Sequence, residues 1–249
     1  MILKNGLLDK NIEFLVDNVR NKYFKQYNLV FSINDLFLKI INENIFNTFS
    51  NDREIYIYTT LFEIHSSFQS IILLLERGLL NNAEIILRSI YEKKFKLFAV
   101  IKDKRNYNRI LDEREYYAAE TALTINNSKN KQFNHLKDKI NLNLYNLENY
   151  KKKKTSTKKW ALYAGLIDEY YKQYSIFSSA VHHDIITLTN LVENKSNGIK
   201  INTYSYDNFE DRIKITCEVT LQCLNKVLEY KNINKFNKNI KTILNELKK

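Results

Sequence analysis

Apolar residues recur three and four positions apart along almost the whole chain, the period of a helix with one face against a core. The pattern predicts helices over residues 7–27, 33–48, 53–78, 82–102, 106–127, 131–152, 167–190, 208–231 and 234–248. The punctuation agrees. Asp52 precedes the third segment, and Asn81 with Glu84 has the form of a capping box before the fourth. Gly78 ends the third, so 53–102 reads as two antiparallel helices joined by a short turn, with Arg77 at a C-terminus where a cation is favoured. Ile199, Ile201 and Tyr204 alternate instead, which predicts a short extended segment near 198–205. The expected architecture is an all-α multi-helix bundle of about eight or nine helices. Residues 1–249 are expected to form a single helical domain, with a core over about 50–231 and a peripheral helix at 234–248.

Two of these helices carry polar groups among apolar ones. With Lys93 at zero and 100° per residue, Lys96 and Ser89 fall on the Lys93 side, while Tyr91, Phe95, Phe98 and Arg88 gather on the other. Arg88 is therefore expected to point inward, with Glu92 four residues further on. Ile167, Tyr170, Tyr174, Phe177 and Val181 form a second stripe, which Ser178 and His182 continue. A buried charge costs several kcal/mol unless it is paired and hydrogen-bonded, so these groups are expected to meet each other or a ligand.

Composition narrows the fold. The chain has no proline and four glycines, too little turn chemistry for a sandwich or large sheet. The net charge of +11 is uneven: residues 1–92 hold 9 Lys and Arg against 11 Asp and Glu, and residues 93–249 hold 30 against 17. Such a field suits a polyanion through phosphate neutralisation, and equally a soluble lysine-rich surface. The densest run holds Lys151, Lys152, Lys153, Lys154, Lys158 and Lys159, followed by Trp160, Tyr163, Tyr170 and Tyr171. It reads either as a landing strip with stacking platforms for single-stranded RNA or as a solvated loop ahead of core aromatics. Together with Arg77, these lysines are the candidate nucleic-acid contacts.

Other classes score poorly. Cys217 and Cys223 lie six apart, on different sides of a helix, which disfavours a disulfide or a metal pair. No metal ligand set is assigned, because His65 and His135 are isolated and no His-Glu-x-x-His run occurs. No cofactor is expected: glycines only at 6, 78, 165 and 198 write neither a Walker loop nor a Rossmann turn. The opening residues do not resemble a signal peptide, and apolar runs such as Ile71 to Leu75 are too short to cross a bilayer. A reduced, cytoplasmic protein with no membrane partner is expected.

Ser178 and His182 share a helix face one turn apart, and His183 and Asp184 come directly after. A histidine near neutrality is the natural proton-transfer group, and an adjacent arginine would grip a phosphate or stabilise a pentavalent phosphorane. The bland alternative is a core histidine paired with a carbonyl or carboxylate.

The segment Leu75-Glu76-Arg77-Gly78, then Ala83, Glu84, Leu87-Arg88-Ser89 and Glu92, with Tyr174, Phe177-Ser178 and Val181-His182, resembles an all-helical bacterial family of unknown function. In that family an Arg-Gly turn leads to an Arg-Ser-x-x-Glu helix, and a later helix carries Tyr-x-x-Leu-Ser-x-x-x-His. The likeness spans roughly residues 50–190. More distantly, the arrangement resembles the HEPN superfamily of helical bundles, many of them metal-independent ribonucleases of toxin and phage-defence systems. Their arginine precedes the histidine on one helix, whereas Ile176, Phe177 and Ser178 precede His182 here. The resemblance therefore implies that Arg88 or Arg77 reaches across from another helix.

The expectation is a nucleic-acid-directed protein of a bacterial toxin or phage-defence system, acting as a metal-independent ribonuclease through Arg88, Glu92, Ser178 and His182. The alternative is a non-catalytic module in which the same residues form a buried lock that fixes helix register, the protein working through a protein partner or as a homodimer.

Overall fold

The computed structural model describes residues 7, 9–46, 48–127, 141, 154–181, 192–195, 198–201 and 205–248. The predicted helix at 131–152 lies outside these residues except for Asn141, as does the 182–190 end of the seventh predicted helix.

The described chain is an all-α bundle with one small hairpin. Helix α1 spans Ile12–Lys22 and α2 spans Phe24–Asn42. The division falls at Tyr23, not at 28–32 where the sequence pattern breaks, because Tyr27, Leu29, Val30 and Ile33 are all buried and carry one helix through that stretch. Helix α3 spans Asp52–Glu76 and α4 spans Leu80–Lys102. The cap of α3 is Asn51, not Asp52: its side chain accepts from the Glu54 N–H at 3.1 Å, and Glu54 accepts in turn from the Ser50 N–H at 2.9 Å. No side-chain cap closes the start of α4, and Glu84 pairs elsewhere.

Gly78 adopts φ +70°, and the Leu79 N–H reaches back to the Leu74 carbonyl at 2.9 Å, which satisfies the end of α3 and turns the chain. Arg53, at the start of α3, donates to the carbonyls of Val100 and Ile101 at the end of α4. The two helices are thus antiparallel, as predicted.

Helix α5 spans Arg105–Asn127. Helix α6, Thr157–Ala164, is absent from the predicted elements: Ser156 caps it, and the lysine run that reads as a loop enters it at Lys158. Helix α7, Ile167–Glu169, passes into a π-helical turn, Tyr170–Tyr174, and then into α8, Ser175–Val181. Strands β1, Val192–Lys195, and β2, Gly198–Ile201, pair antiparallel with Val192 opposite Ile201, so the predicted extended segment is half of a hairpin. Helix α9 spans Phe209–Tyr230 and α10 spans Asn237–Leu247.

One contiguous core joins residues from Val19 to Ile243, and α10 contributes Ile240 and Ile243 against α2 and α9. Helix α4 sits at the centre, packed against α3, α6, α8 and α9. A helix covered on several sides has no polar face to spare, and Lys94, next to Phe98 round the helix, is 1% exposed. Among the described residues, no helix is long and apolar enough to cross a membrane.

Candidate functional site

Helix α4 presents Arg88 and Glu92 one turn apart toward the chain that runs through the π turn into α8. The Tyr174 hydroxyl lies between them. It accepts from Arg88 Nε at 3.1 Å and donates to Glu92 Oε1 at 2.8 Å, while Arg88 Nε and Glu92 Oε1 are 3.1 Å apart. The guanidinium also lies over the Tyr174 ring, 5.4 Å from its centroid. Burial, and after it the hydrogen bond to Glu92, pushes the Tyr174 hydroxyl above the ordinary tyrosine range, so the phenol stays protonated and donates. The cluster is only half sealed: the Arg88 side chain is 20% exposed and that of Glu92 is 37%.

Tyr174 ends the π turn, where the i→i+5 pattern adds a residue to the helical repeat and rotates α8 relative to the chain before it. Polar ties hold the turn at both ends. Glu169, just before it, pairs with the buried ammonium of Lys94, which also donates to Gln222 of α9. Tyr174, at its close, is held by Arg88 and Glu92. Ser178, one turn further along α8, is partly buried; His182, with His183 and Asp184, lies outside the described residues.

Beside this cluster a cavity of about 260 Å³ opens between α4, α5 and the start of α6. Glu92 is on its wall, with Ser89, Lys93, Lys96, Glu113, Tyr117, Thr155, Thr157 and Trp160. Glu113 is the fixed point of that wall. It accepts from the Trp160 indole N–H at 2.8 Å, from Lys96 Nζ at 2.7 Å and from the Thr155 N–H at 3.2 Å. At 3% exposure, such a carboxylate is tolerated because each oxygen is bonded.

Cations lie over the Tyr117 ring on this wall and over rings beyond it. Lys154 Nζ lies 5.3 Å from the Tyr116 and Tyr117 centroids, and Lys158 Nζ lies 5.1 Å from that of Tyr171. Tyr117 and Tyr171 are 46% and 54% exposed, so their faces can take a stacking partner. Lys159 is exposed in the first turn of α6, while Lys151, Lys152 and Lys153 lie outside the described residues. Arg77 is placed differently. It donates to the Leu73 carbonyl at 3.0 Å and lies 3.6 Å from Glu13 and 3.7 Å from Glu76, at the end of α3.

The structure thus brings Arg88 and Glu92 together and adds groups that sequence spacing does not reveal. Tyr174 belongs to an apolar stripe in the sequence, yet its hydroxyl is the centre of the cluster. Glu84, expected to cap α4, pairs with Arg212 of α9 at 2.6 Å, and the Arg212 guanidinium lies 5.3 Å from the Phe177 centroid on α8. Nothing in the local spacing signals Arg212 or Lys94, because their partners are remote in sequence. Cys217 and Cys223 are both buried in α9, and burial drives both thiols upward, that of Cys223 to about 12. Among the described residues, no cluster of three or more His, Cys, Asp or Glu could hold a metal ion.

Residues 54–201, from α3 to the hairpin and including every member of the Arg88–Tyr174–Glu92 cluster, match DUF5677, a family of unknown function. The chain belongs to this all-helical family. No curated protein and no solved structure matches it.

Proposed function

We propose that the protein is a nucleic-acid-directed component of a bacterial toxin or phage-defence system and that it cuts single-stranded RNA without a metal. Arg88 is the phosphate-binding group in this reading, Glu92 an acidic group on the cavity wall, and His182 the proton-transfer residue on the chain that continues from α8. The observation that carries it is the junction of two features: a half-exposed Arg88–Tyr174–Glu92 cluster, and a cavity whose wall carries Glu92, Tyr117 and Thr157, with Lys154 over the Tyr117 ring and Lys158, the residue after Thr157, over the exposed ring of Tyr171. Lysines track a phosphate backbone and tyrosine faces stack bases, the combination that single-strand binding uses. Partly solvated arginine beside a cavity suits a group that must meet substrate.

The test is cleavage of a labelled single-stranded RNA by the purified protein, compared with His182→Ala and Arg88→Ala. Loss of cleavage with a melting temperature close to the parent supports the reading.

A second reading rests on the mutual satisfaction of the cluster. Arg88 Nε, the Tyr174 hydroxyl and Glu92 Oε1 already bond one another, as in a polar lock that fixes register without doing chemistry. Under that reading the protein works through a protein partner or a second copy, and Arg88→Ala lowers stability and every activity together.

A further inference from the structure

We propose that Tyr174 is a positioning residue for Arg88, holding the guanidinium by Nε so that its terminal Nη1 and Nη2 edge is left to grip a phosphate. The inference rests on the reading of Arg88 as the phosphate-binding group. Guanidinium carries five N–H donors in a planar fork, and bidentate recognition of a phosphate uses two parallel ones. Here the single Nε–H donates to the Tyr174 hydroxyl at 3.1 Å, and Glu92 Oε1 forms an ion pair with the same nitrogen at 3.1 Å. Neither terminal nitrogen has a hydrogen bond to another described residue, and the side chain keeps 20% of its exposure.

A free arginine would lose rotamer entropy on binding. One already fixed at Nε loses less. Tyr174 is suited to the task because it is itself immobile: 5% exposed, its ring stacks on Tyr170 at 5.1 Å and meets Phe95 edge-on at 6.0 Å. The π turn that delivers it is anchored at its other end by the buried Lys94–Glu169 pair, so the hydroxyl is held from two sides of the same helix α4. Glu92 has the complementary part: Oε1 faces Arg88 and Tyr174, while its side chain reaches the cavity wall.

The experiment tracks Arg88 directly. The full chain is treated with phenylglyoxal, which modifies exposed guanidinium edges, with and without a single-stranded uridine octanucleotide, and modification at Arg88 is timed by peptide mass spectrometry. In the parent, the RNA is expected to protect Arg88. Tyr174→Phe keeps the ring and removes only the hydroxyl; Arg88 is expected to react faster, and the RNA concentration giving half protection to rise about tenfold, the value of one hydrogen bond to a charged group. Glu92→Gln, which still offers an oxygen to Arg88, is expected to have the smaller effect; if Tyr174→Phe does not fold, Glu92→Gln must still weaken protection. Unchanged protection in Tyr174→Phe overturns the positioning role while leaving the function reading intact. Absence of protection in the parent, with the octanucleotide bound, overturns both.

Discussion

Lys94 and Glu169 form an ion pair inside the bundle, 2.5 Å from nitrogen to oxygen, with the lysine side chain 1% and the glutamate side chain 31% exposed. The ammonium also donates to Gln222 and lies 5.4 Å from the Phe98 centroid, so α4, the chain before the π turn and α9 meet at one charge. Removing one partner of a buried pair strands the other.

Glu169→Ala should therefore cost about 3 kcal/mol, the low end for broken buried pairs because the carboxylate keeps some solvent. Lys94→Met combined with Glu169→Gln should cost less than Glu169→Ala alone. Urea denaturation of the three proteins measures the ordering, and equal losses would show that the charge does not organise this junction.

The single tryptophan reports on Glu113. Its indole N–H donates to that carboxylate at 2.8 Å, and Trp160 is 1% exposed. Glu113→Ala leaves the indole and Lys96 without their acceptor and opens the cavity to water, so a loss of about 2 kcal/mol and a red shift of the emission maximum are expected. An emission spectrum identical to that of the parent would contradict this placement.

His65 gives the protein a pH dependence near neutrality. Its ring is buried, stacked 4.3 Å from Phe37, and Nε2 is 3.1 Å from Asn34 Oδ1. Burial lowers its pKa below 6.5, so the unfolded chain takes up a proton that the folded chain resists. The unfolded state binds more protons below that value, and stability should therefore fall as pH drops from about 7 toward 5. His65→Leu should flatten the melting temperature over that window; a slope equal to that of the parent would assign the dependence to another group.

Lys154, Lys158 and Lys159 are exposed, so replacing all three with glutamine should leave the melting temperature almost unchanged. If they neutralise three phosphates of a single strand, the slope of log affinity against log salt should fall by about 2. Titrations of a labelled single-stranded RNA at several salt concentrations give that slope, and no change would remove these lysines from the interface.

How much of the fold and the cluster is legible in the sequence varies with the range of the interactions involved. The helical class, the Gly78 turn and the antiparallel pairing of α3 and α4 are legible, because periodicity and helix termini are written within a few residues of each other. The likeness of Arg88, Glu92, Tyr174 and their neighbours to an all-helical family is legible too, and residues 54–201 match that family.

Burial is decided elsewhere. Helical phase divides α4 into sides, but it is the packing of α3, α6, α8 and α9 around it that leaves Lys94 inside and Arg88 only partly so. The Tyr174 hydroxyl reaches Arg88 and Glu92 across 86 and 82 residues, through a π turn that α-helical spacing cannot express. Sequence alone determined that most of the chain is helical, since that depends on neighbours along the chain. Only the packing of remote helices settled which charges are buried and which groups meet, since desolvation and hydrogen bonding depend on neighbours in space.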